Sequence, residues 1–450
     1  MASVVVSDSR DRALVSLLEQ RTASAVDFWA FRGTRHRGAA EIYQYPAMMV
    51  SPMQGALLEV LCEHLGRPAV VYDAFAGSGT TLTEAMRLGC DFVGTDINPL
   101  AVLLCRVRAD AVIRTDVREA TERVLERARV DRGGLLEDRH WVRKWYRHDV
   151  ARALSALHRA ICAEPDPVCR RVLWVALAEV ARTTGNFRIS RPKLQTRETD
   201  QLGRAIDVPI AFADQAAAIA VERDRHCEEL RAAGLLDRQG RYRAAVRLSV
   251  GDARSSAWPA DLAPAEVILS SPPYGDNHTT MPYGQASFLP LKWIDIDDID
   301  PDCERWLLAT SKTLDTHSLG GSRRIDGDRV AATAARSRLL SALLDDLAPA
   351  REPWQRVAAF FTDLDAAWEQ ILANSTSDVH LVLTLGDRTV GGRHVQTIAI
   401  VCELLQARGV GVLSSFERPI PHSKRLAPSN QYASTTIARE QVVILRRYSS

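Results

Sequence analysis

The chain has 450 residues, 46% hydrophobic and 25% charged, which suits a soluble globular enzyme with two or three domains' worth of core. Its net charge of +1 announces no polyanionic partner, and eight scattered cysteines without a Cys-x-x-Cys pair predict a reduced, cytoplasmic protein with no metal site. The first ten residues do not read as a secretory signal, and no uncharged apolar run approaches the ~18 residues of a membrane span.

Residues 1–40 read as an N-terminal extension, and Tyr43-Gln-Tyr-Pro-Ala47 as a turn ahead of a helix. Residues 70–74 and 92–96 are apolar runs of strand length, separated by a helical stretch at 81–88. Residues 110–245 carry amphipathic helical stretches near 116–130, 149–163, 168–183 and 209–234. Strand-like runs return at 247–250 and 267–270, and residues 278–354 mix Asp-rich, Gly-rich and helical segments. Residues 355–373 place Val357, Phe360, Phe361, Leu364, Trp368 and Ile371 at helical spacing. A strand at 379–385, a helix at 395–407 and strands at 410–416 and 441–445 follow. Strands alternating with helices predict an α/β fold with a parallel, doubly wound sheet, ending in an antiparallel pair.

The first strand runs into Asp73-Ala-Phe-Ala-Gly-Ser-Gly-Thr-Thr81. A chain that turns sharply there, with its backbone close to a ligand at the next helix's N-terminus, needs residues without Cβ, and Gly77 and Gly79 supply them. Three acids end three strands. Asp73 can accept from an ammonium group. Asp96 stands 17 residues beyond Gly79, near the usual spacing for an acid that holds ribose hydroxyls. Asp252 stands where a carboxylate can accept from an adenine amino group. A dinucleotide loop would carry a third glycine where this chain has Leu82, which counts against NAD.

A later strand runs into Ser270-Ser-Pro-Pro-Tyr-Gly275. Ser271 offers a hydroxyl, Pro272 a carbonyl in a loop whose φ angles the prolines fix, and Tyr274 a ring face for stacking. The set suits a flat, amino-bearing substrate. Acceptors on the amino hydrogens localise a lone pair otherwise spread into the ring. A base in a duplex must flip out to reach such a loop. Two segments, 139–148 and 187–197, concentrate cations and could grip phosphates through Arg143, Lys144, Arg188, Arg191, Lys193 and Arg197; a solvated basic face is the alternative. The Gly320–Arg324 loop and residues 421–425 are lesser candidates. Residues 295–304 are acid-rich and lack the glycine and distal Glu of a calcium loop, so they read as a surface loop.

Phe75-Ala-Gly-Ser-Gly-Thr-Thr81, Asp96-Ile-Asn-Pro-Leu-Ala101 and Ser271-Pro-Pro-Tyr274, in this order, resemble the motifs of S-adenosylmethionine-dependent DNA amino-methyltransferases. The resemblance covers about residues 40–105 and 246–450. It implies a Rossmann-like seven-stranded methyltransferase sheet with two inserted, largely helical recognition segments, 110–245 and 278–354. The catalytic domain would comprise 41–109, 246–277 and 355–450. The implied cofactor is S-adenosylmethionine. Asp73, Phe75, Ala76, Gly77, Ser78, Gly79 and Thr80 would hold its methionine part, Asp96 and Ile97 its ribose, and Asp252 and Ala253 its adenine. Tyr45 and Pro46 would close over the methionine end.

By the same resemblance Ser271, Pro272, Pro273 and Tyr274 form the catalytic group, and DNA is the substrate. N4 of cytosine is favoured, because the Ser-Pro-Pro-Tyr version of the motif is associated chiefly with that product. The implied setting is a prokaryotic modification or defence system, with a cognate restriction partner. N6 of adenine, an RNA base and a non-catalytic nucleic-acid-binding role remain alternatives. Methylation at C5 of cytosine needs a cysteine that this loop lacks. The chain departs from the family in placing Asp252 only 19 residues before Ser271 and ending soon after its last strand. Target recognition therefore falls to one of the two insertions.

Overall fold

The computed structural model describes residues 8–23, 42–46, 48–113, 115–136, 140–188, 194–197, 206–322, 324–420 and 439–448. Arg191, Lys193 and residues 421–425 lie outside them, as do Arg139, Ala47 and Arg323.

Short runs rich in β-formers build the sheet, buried in its centre and partly exposed at the edge strand Val246–Val250. β1 (Val70–Asp73) is wholly buried, and β2 (Asp91–Asp96), β3 (Val246–Val250), β4 (Ala265–Ser270) and β5 (Ser375–Leu385) lie parallel to it. β6 (Arg388–Val390) and β7 (Arg393–Val395) form a separate hairpin that the sequence reading had no strand for. β8 (Val410–Pro419) and β9 (Arg439–Arg447) complete the sheet as an antiparallel pair, β9 lying between β5 and β8. The order β3-β2-β1-β4-β5-β9-β8 is that of a Rossmann-like methyltransferase sheet. Its parallel part reverses direction between β1 and β4, the switch point outside which ligands of open α/β sheets bind.

The helices that carry the site are capped by local chemistry. Gly79 (φ +81°) starts Thr80–Arg87, and the Asn98 side chain accepts from Leu100 N ahead of Pro99–Ala109. The predicted helical insertion holds Val117–Val130, His140–Trp145, His148–Cys162, Pro167–Thr184 and Val208–Ala232. These build a core around Trp174, Leu154, Leu177 and Phe212. The N-terminal extension contributes Ser9–Ala23, whose Leu14 and Leu18 pack against Ser51–Leu65. No helix among the described residues is long and apolar enough to cross a membrane.

The acid-rich segment 295–304 differs from the expected surface loop. Asp298 accepts from Arg170 and from Trp174 Nε1 (2.7 Å), while buried Asp300 accepts from Val250 N (2.8 Å). These carboxylates staple the second insertion to the first and to β3. The pattern of acids was visible in sequence; their Arg and Trp partners, more than 120 residues away, were not.

Candidate active site

Four strand ends, the segment ahead of Ser51–Leu65 and the second insertion meet at an open cavity with about 840 Å³ of empty space, part of it open to solvent. β1 leads into Ala74–Ser78 and Thr80, β2 into Asp96, Ile97 and Asn98, β3 into Gly251, Asp252 and Ala253, and β4 into Ser271, Pro273 and Asn277. Tyr45, Met48 and Met49 close it from the N-terminal side, and Tyr283, Leu314, His317, Ser318 and Leu319 from the second insertion. Motifs separated by almost 200 residues of sequence thus share one space, as their positions at carboxyl ends of parallel strands require.

The glycine loop is held from behind. Arg108 Nε donates to Ser78 O (2.7 Å) and Cys105 Sγ to Gly77 O (3.6 Å). A Cβ on Gly79 would stand 3.0 Å from both Arg108 Cδ and Cys105 Sγ, at a φ that L side chains rarely adopt. In front, Asp96 accepts from Gly77 N through Oδ2 and from Asn98 N through Oδ1, each at 2.8 Å. Burial pushes its carboxyl up to about 6.

Asp73 is fully buried and also raised to about 6 by burial, although Ser270 Oγ (2.6 Å) and Phe75 N (3.1 Å) donate to its Oδ1. Its Oδ2 has no partner. Asp73 stands behind the cavity surface, as do Gly79, Pro46, Pro272 and Tyr274, which are not among the lining residues. Asp252 does line the cavity, but its carboxylate differs from the free acceptor expected there. Both oxygens accept from Arg254 (2.6–3.0 Å), which also pairs with Asp363.

Tyr45, from the upstream motif, receives a hydrogen bond from Asn98 Nδ2 (3.0 Å) and stacks on Tyr283 with centroids 5.9 Å apart. The motif and the second insertion therefore meet over the loop. At the end of β4, Ser271 Oγ donates to Thr384 O (3.0 Å), which leaves the lone pairs of its oxygen to accept. The Tyr274 hydroxyl donates to Glu440 Oε1 (2.9 Å), and burial raises this phenol well above its ordinary range. Gly275 has no room for a side chain, since a Cβ would fall 1.3 Å from Arg388 Nη1.

Several residues of this site went unread in the sequence. Asn277 lines the cavity, gives its Nδ2 to Asp315 (3.3 Å) and keeps a buried Oδ1 without a partner. Asp315, raised to about 6 by burial, also accepts from Gly284 N (2.8 Å) and Gln285 N (3.2 Å), fixing the second insertion against the loop after β4. Asn277 follows the Ser-Pro-Pro-Tyr string by three residues, so proximity was a usable signal. Nothing local marked Tyr283, Leu314 or His317.

The basic segments carry aromatics that pack inward. Tyr146 and Trp141 make edge contacts with Trp293 (5.3 and 5.7 Å), and Trp145 and Tyr146 with Phe187. These aromatics belong to the joint between insertions rather than to an exposed stacking surface. Arg197 donates to Gly185 O (3.1 Å), and Arg188 N to Gln195 O (2.8 Å). Arg143 and Lys144 are exposed, with Lys144 Nζ 4.7 Å from the Trp145 ring centroid.

A sheet of this order, with a glycine loop after β1 and acids ending β2 and β3 around one cavity, is the Rossmann-like methyltransferase fold. Comparison with known proteins narrows the class. A family model described as DNA methylase, of the N6/N4 methyltransferase type, matches residues 20–104. The type II methyltransferase M.MvaI of Kocuria varians is 24% identical over 464 residues, covering 98% of each chain. Among solved structures, the rRNA methyltransferase aviRa from Streptomyces viridochromogenes matches 89% of this chain and 86% of its own at 11% identity and a TM-score of 0.28, too low to argue from. Both similarities support a DNA amino-methyltransferase family of the N4/N6 type.

Proposed function

We propose that the protein transfers the methyl group of S-adenosylmethionine to N4 of cytosine in DNA. The observation that carries this reading is the loop after β4. Ser271 turns its proton to the Thr384 carbonyl beside the cavity, so its oxygen faces a substrate as an acceptor only. Accepting from an exocyclic amino group concentrates that nitrogen's lone pair for attack on a methyl donor. The Pro272 carbonyl supplies a second acceptor, Pro273 holds the loop's course, and the Tyr274 ring stacks on the extruded base.

The residues present fit the cofactor. Asp96 offers a half-exposed carboxylate edge to ribose hydroxyls, and the orphaned Oδ2 of Asp73 wants a donor of the kind an ammonium provides. Phe75, Ala76, Gly77, Ser78, Gly79 and Thr80 form the loop beneath the methionine part. Ile97 and Ala253 offer apolar surface to the nucleoside, and Asp252 stands at the adenine with Arg254. Tyr45 and Pro46 close the methionine end. When bound, S-adenosylmethionine supplies an electrophilic methyl group; the chain's own residues bind it, exclude water and orient the amino nitrogen.

The catalytic domain in this reading is 41–109, 246–277 and 355–450, working in the cytoplasm of a prokaryote with a modification or defence system. Arg143, Lys144, Arg188, Arg191, Lys193 and Arg197 are assigned to the DNA backbone. Mass spectrometry of nucleosides from genomic DNA of cells expressing the protein tests the whole. N4-methylcytosine is expected. N6-methyladenine would overturn the cytosine assignment and keep the reaction class, whereas unmodified DNA would overturn both.

A further inference from the structure

We infer that Glu440, in β9, is a positioning residue for Tyr274, a step that rests on the proposed stacking role of that ring. Three contacts of the fold lead there. The Tyr274 hydroxyl donates to Glu440 Oε1 (2.9 Å), 166 residues further along the chain. The other oxygen, Oε2, meets Arg418 Nη1 at 3.2 Å, and Arg418 and Glu440 are register partners on β8 and β9. The pair is largely withdrawn from water, with 6% of the Arg418 side chain and 19% of the Glu440 side chain exposed.

Geometry says what such an anchor controls. A phenol oxygen lies on the axis of χ2, so a bond to it leaves rotation about that axis free but fixes χ1, and hence where the ring stands. The ring's plane is then left to packing against the core cluster that covers this side of the sheet. Tyr274 sits on a loop whose prolines constrain the backbone but not this side chain. Without the anchor the ring could leave the place where an extruded base would meet it.

Arg418 gives Glu440 its orientation. It balances the carboxylate's charge in a half-buried setting and leaves one oxygen directed to the phenol. A ring needed only for its π-face would tolerate Phe at position 274. An anchored ring would not, because Tyr274→Phe removes the anchor and leaves a carboxylate oxygen facing apolar carbon.

The test uses full-length protein carrying Tyr274→Phe, Glu440→Gln, Glu440→Ala, or Tyr274→Phe with Glu440→Ala. Turnover, KM for DNA and S-adenosylmethionine affinity are measured for each. Fluorescence is read from 2-aminopurine placed at the base the wild type methylates, since an extruded base stacked on the ring is quenched. We expect Tyr274→Phe and Glu440→Ala each to lower kcat about tenfold or more, the scale of small misplacements at a reacting centre, with cofactor affinity unchanged. Their 2-aminopurine signals should shift alike, Glu440→Gln should recover part of the rate, and the double variant should be no worse than either single one. Wild-type turnover and fluorescence in Tyr274→Phe and Glu440→Gln would overturn the inference, as would additive losses in the double variant. Should Glu440→Ala fail to fold, those two conservative variants decide it. A wild type that fails to methylate DNA would instead overturn the reading of the site itself.

Discussion

At the carboxyl edge of the sheet, Asp73 and Asp96 are buried among hydroxyl and backbone N–H partners, and burial pushes both up to about 6. In the helical insertion, Glu164 is held below the ordinary carboxylate range by Arg123 and Asp131 by Arg159. The insertion's acids have found cations within the chain, at 2.7 Å for Arg123–Glu164 and 2.8 Å for Arg159–Asp131. Asp73 and Asp96 have not, and Asp73 keeps an oxygen with no hydrogen-bond partner. A buried acceptor without a donor carries a desolvation cost of about 1–3 kcal/mol that folding alone does not recover. A ligand rich in N–H and O–H donors recovers it. The difference separates charge spent on architecture from charge held for an occupant.

The sharpest way to break this comparison is to remove a sheet-edge acid. Asp96→Ala should weaken S-adenosylmethionine binding by about 1–3 kcal/mol, the scale for charge-assisted hydrogen bonds to a carboxylate. Calorimetry on the variant gives the answer directly. Unchanged affinity would mean that Asp96 serves only to hold Gly77 and Asn98 in place. Glu164→Gln is the matching control in the insertion, expected to lower the melting temperature and leave cofactor affinity alone.

Titration sharpens the same contrast with a smaller effect. A carboxyl raised to about 6 in the folded chain binds its proton more tightly there than when unfolded. The stability it contributes to the empty protein is present below the unfolded value near 4 and is lost as pH rises through about 6. Cofactor binding runs the other way if the ionised form is the acceptor. Affinity should be level above about pH 7 and fall about tenfold by pH 5 through Asp96 alone. Insertion acids held below their ordinary range predict no change in that window. A flat affinity from pH 7 to pH 5 would remove Asp96 from the contact.

The same division explains what could be read from sequence. The strands, the glycine loop and the acids at strand ends are local patterns, and each strand overlaps the run that predicted it, β5 starting four residues earlier and β8 ending three residues later. The four long insertion helices were legible for the same reason, through their apolar spacing. What escaped was set by partners distant in sequence. The hairpin β6–β7 is three residues a side and too short for a periodic signal. Tyr283, Leu314 and His317 enter the cavity wall only because Asp315 ties their segment to Asn277. Asp252 looked like a free acceptor until Arg254, two residues on, folded back onto it. The partners of the aromatics in the basic segment, Trp293 and Phe187, were likewise out of view.

That packing leaves the smallest effect to measure. With the aromatics occupied in the joint between insertions, Arg143 and Lys144 of His140–Trp145 face solvent as a DNA contact would. Each cation that neutralises a phosphate releases counterions. The slope of log affinity against log salt therefore becomes shallower by about 0.9 for every such contact removed from B-DNA. Replacing Arg143 and Lys144 together by Gln should flatten the slope by up to about twice that amount while sparing cofactor affinity and turnover at saturating DNA. Charge held for an occupant would then extend beyond the sheet edge into the helical insertion. An unchanged slope would place both side chains with Glu164 and Asp131 among charges that serve the fold or the solvent. Target contacts would then be sought along the second insertion, whose residues already form one wall of the cavity.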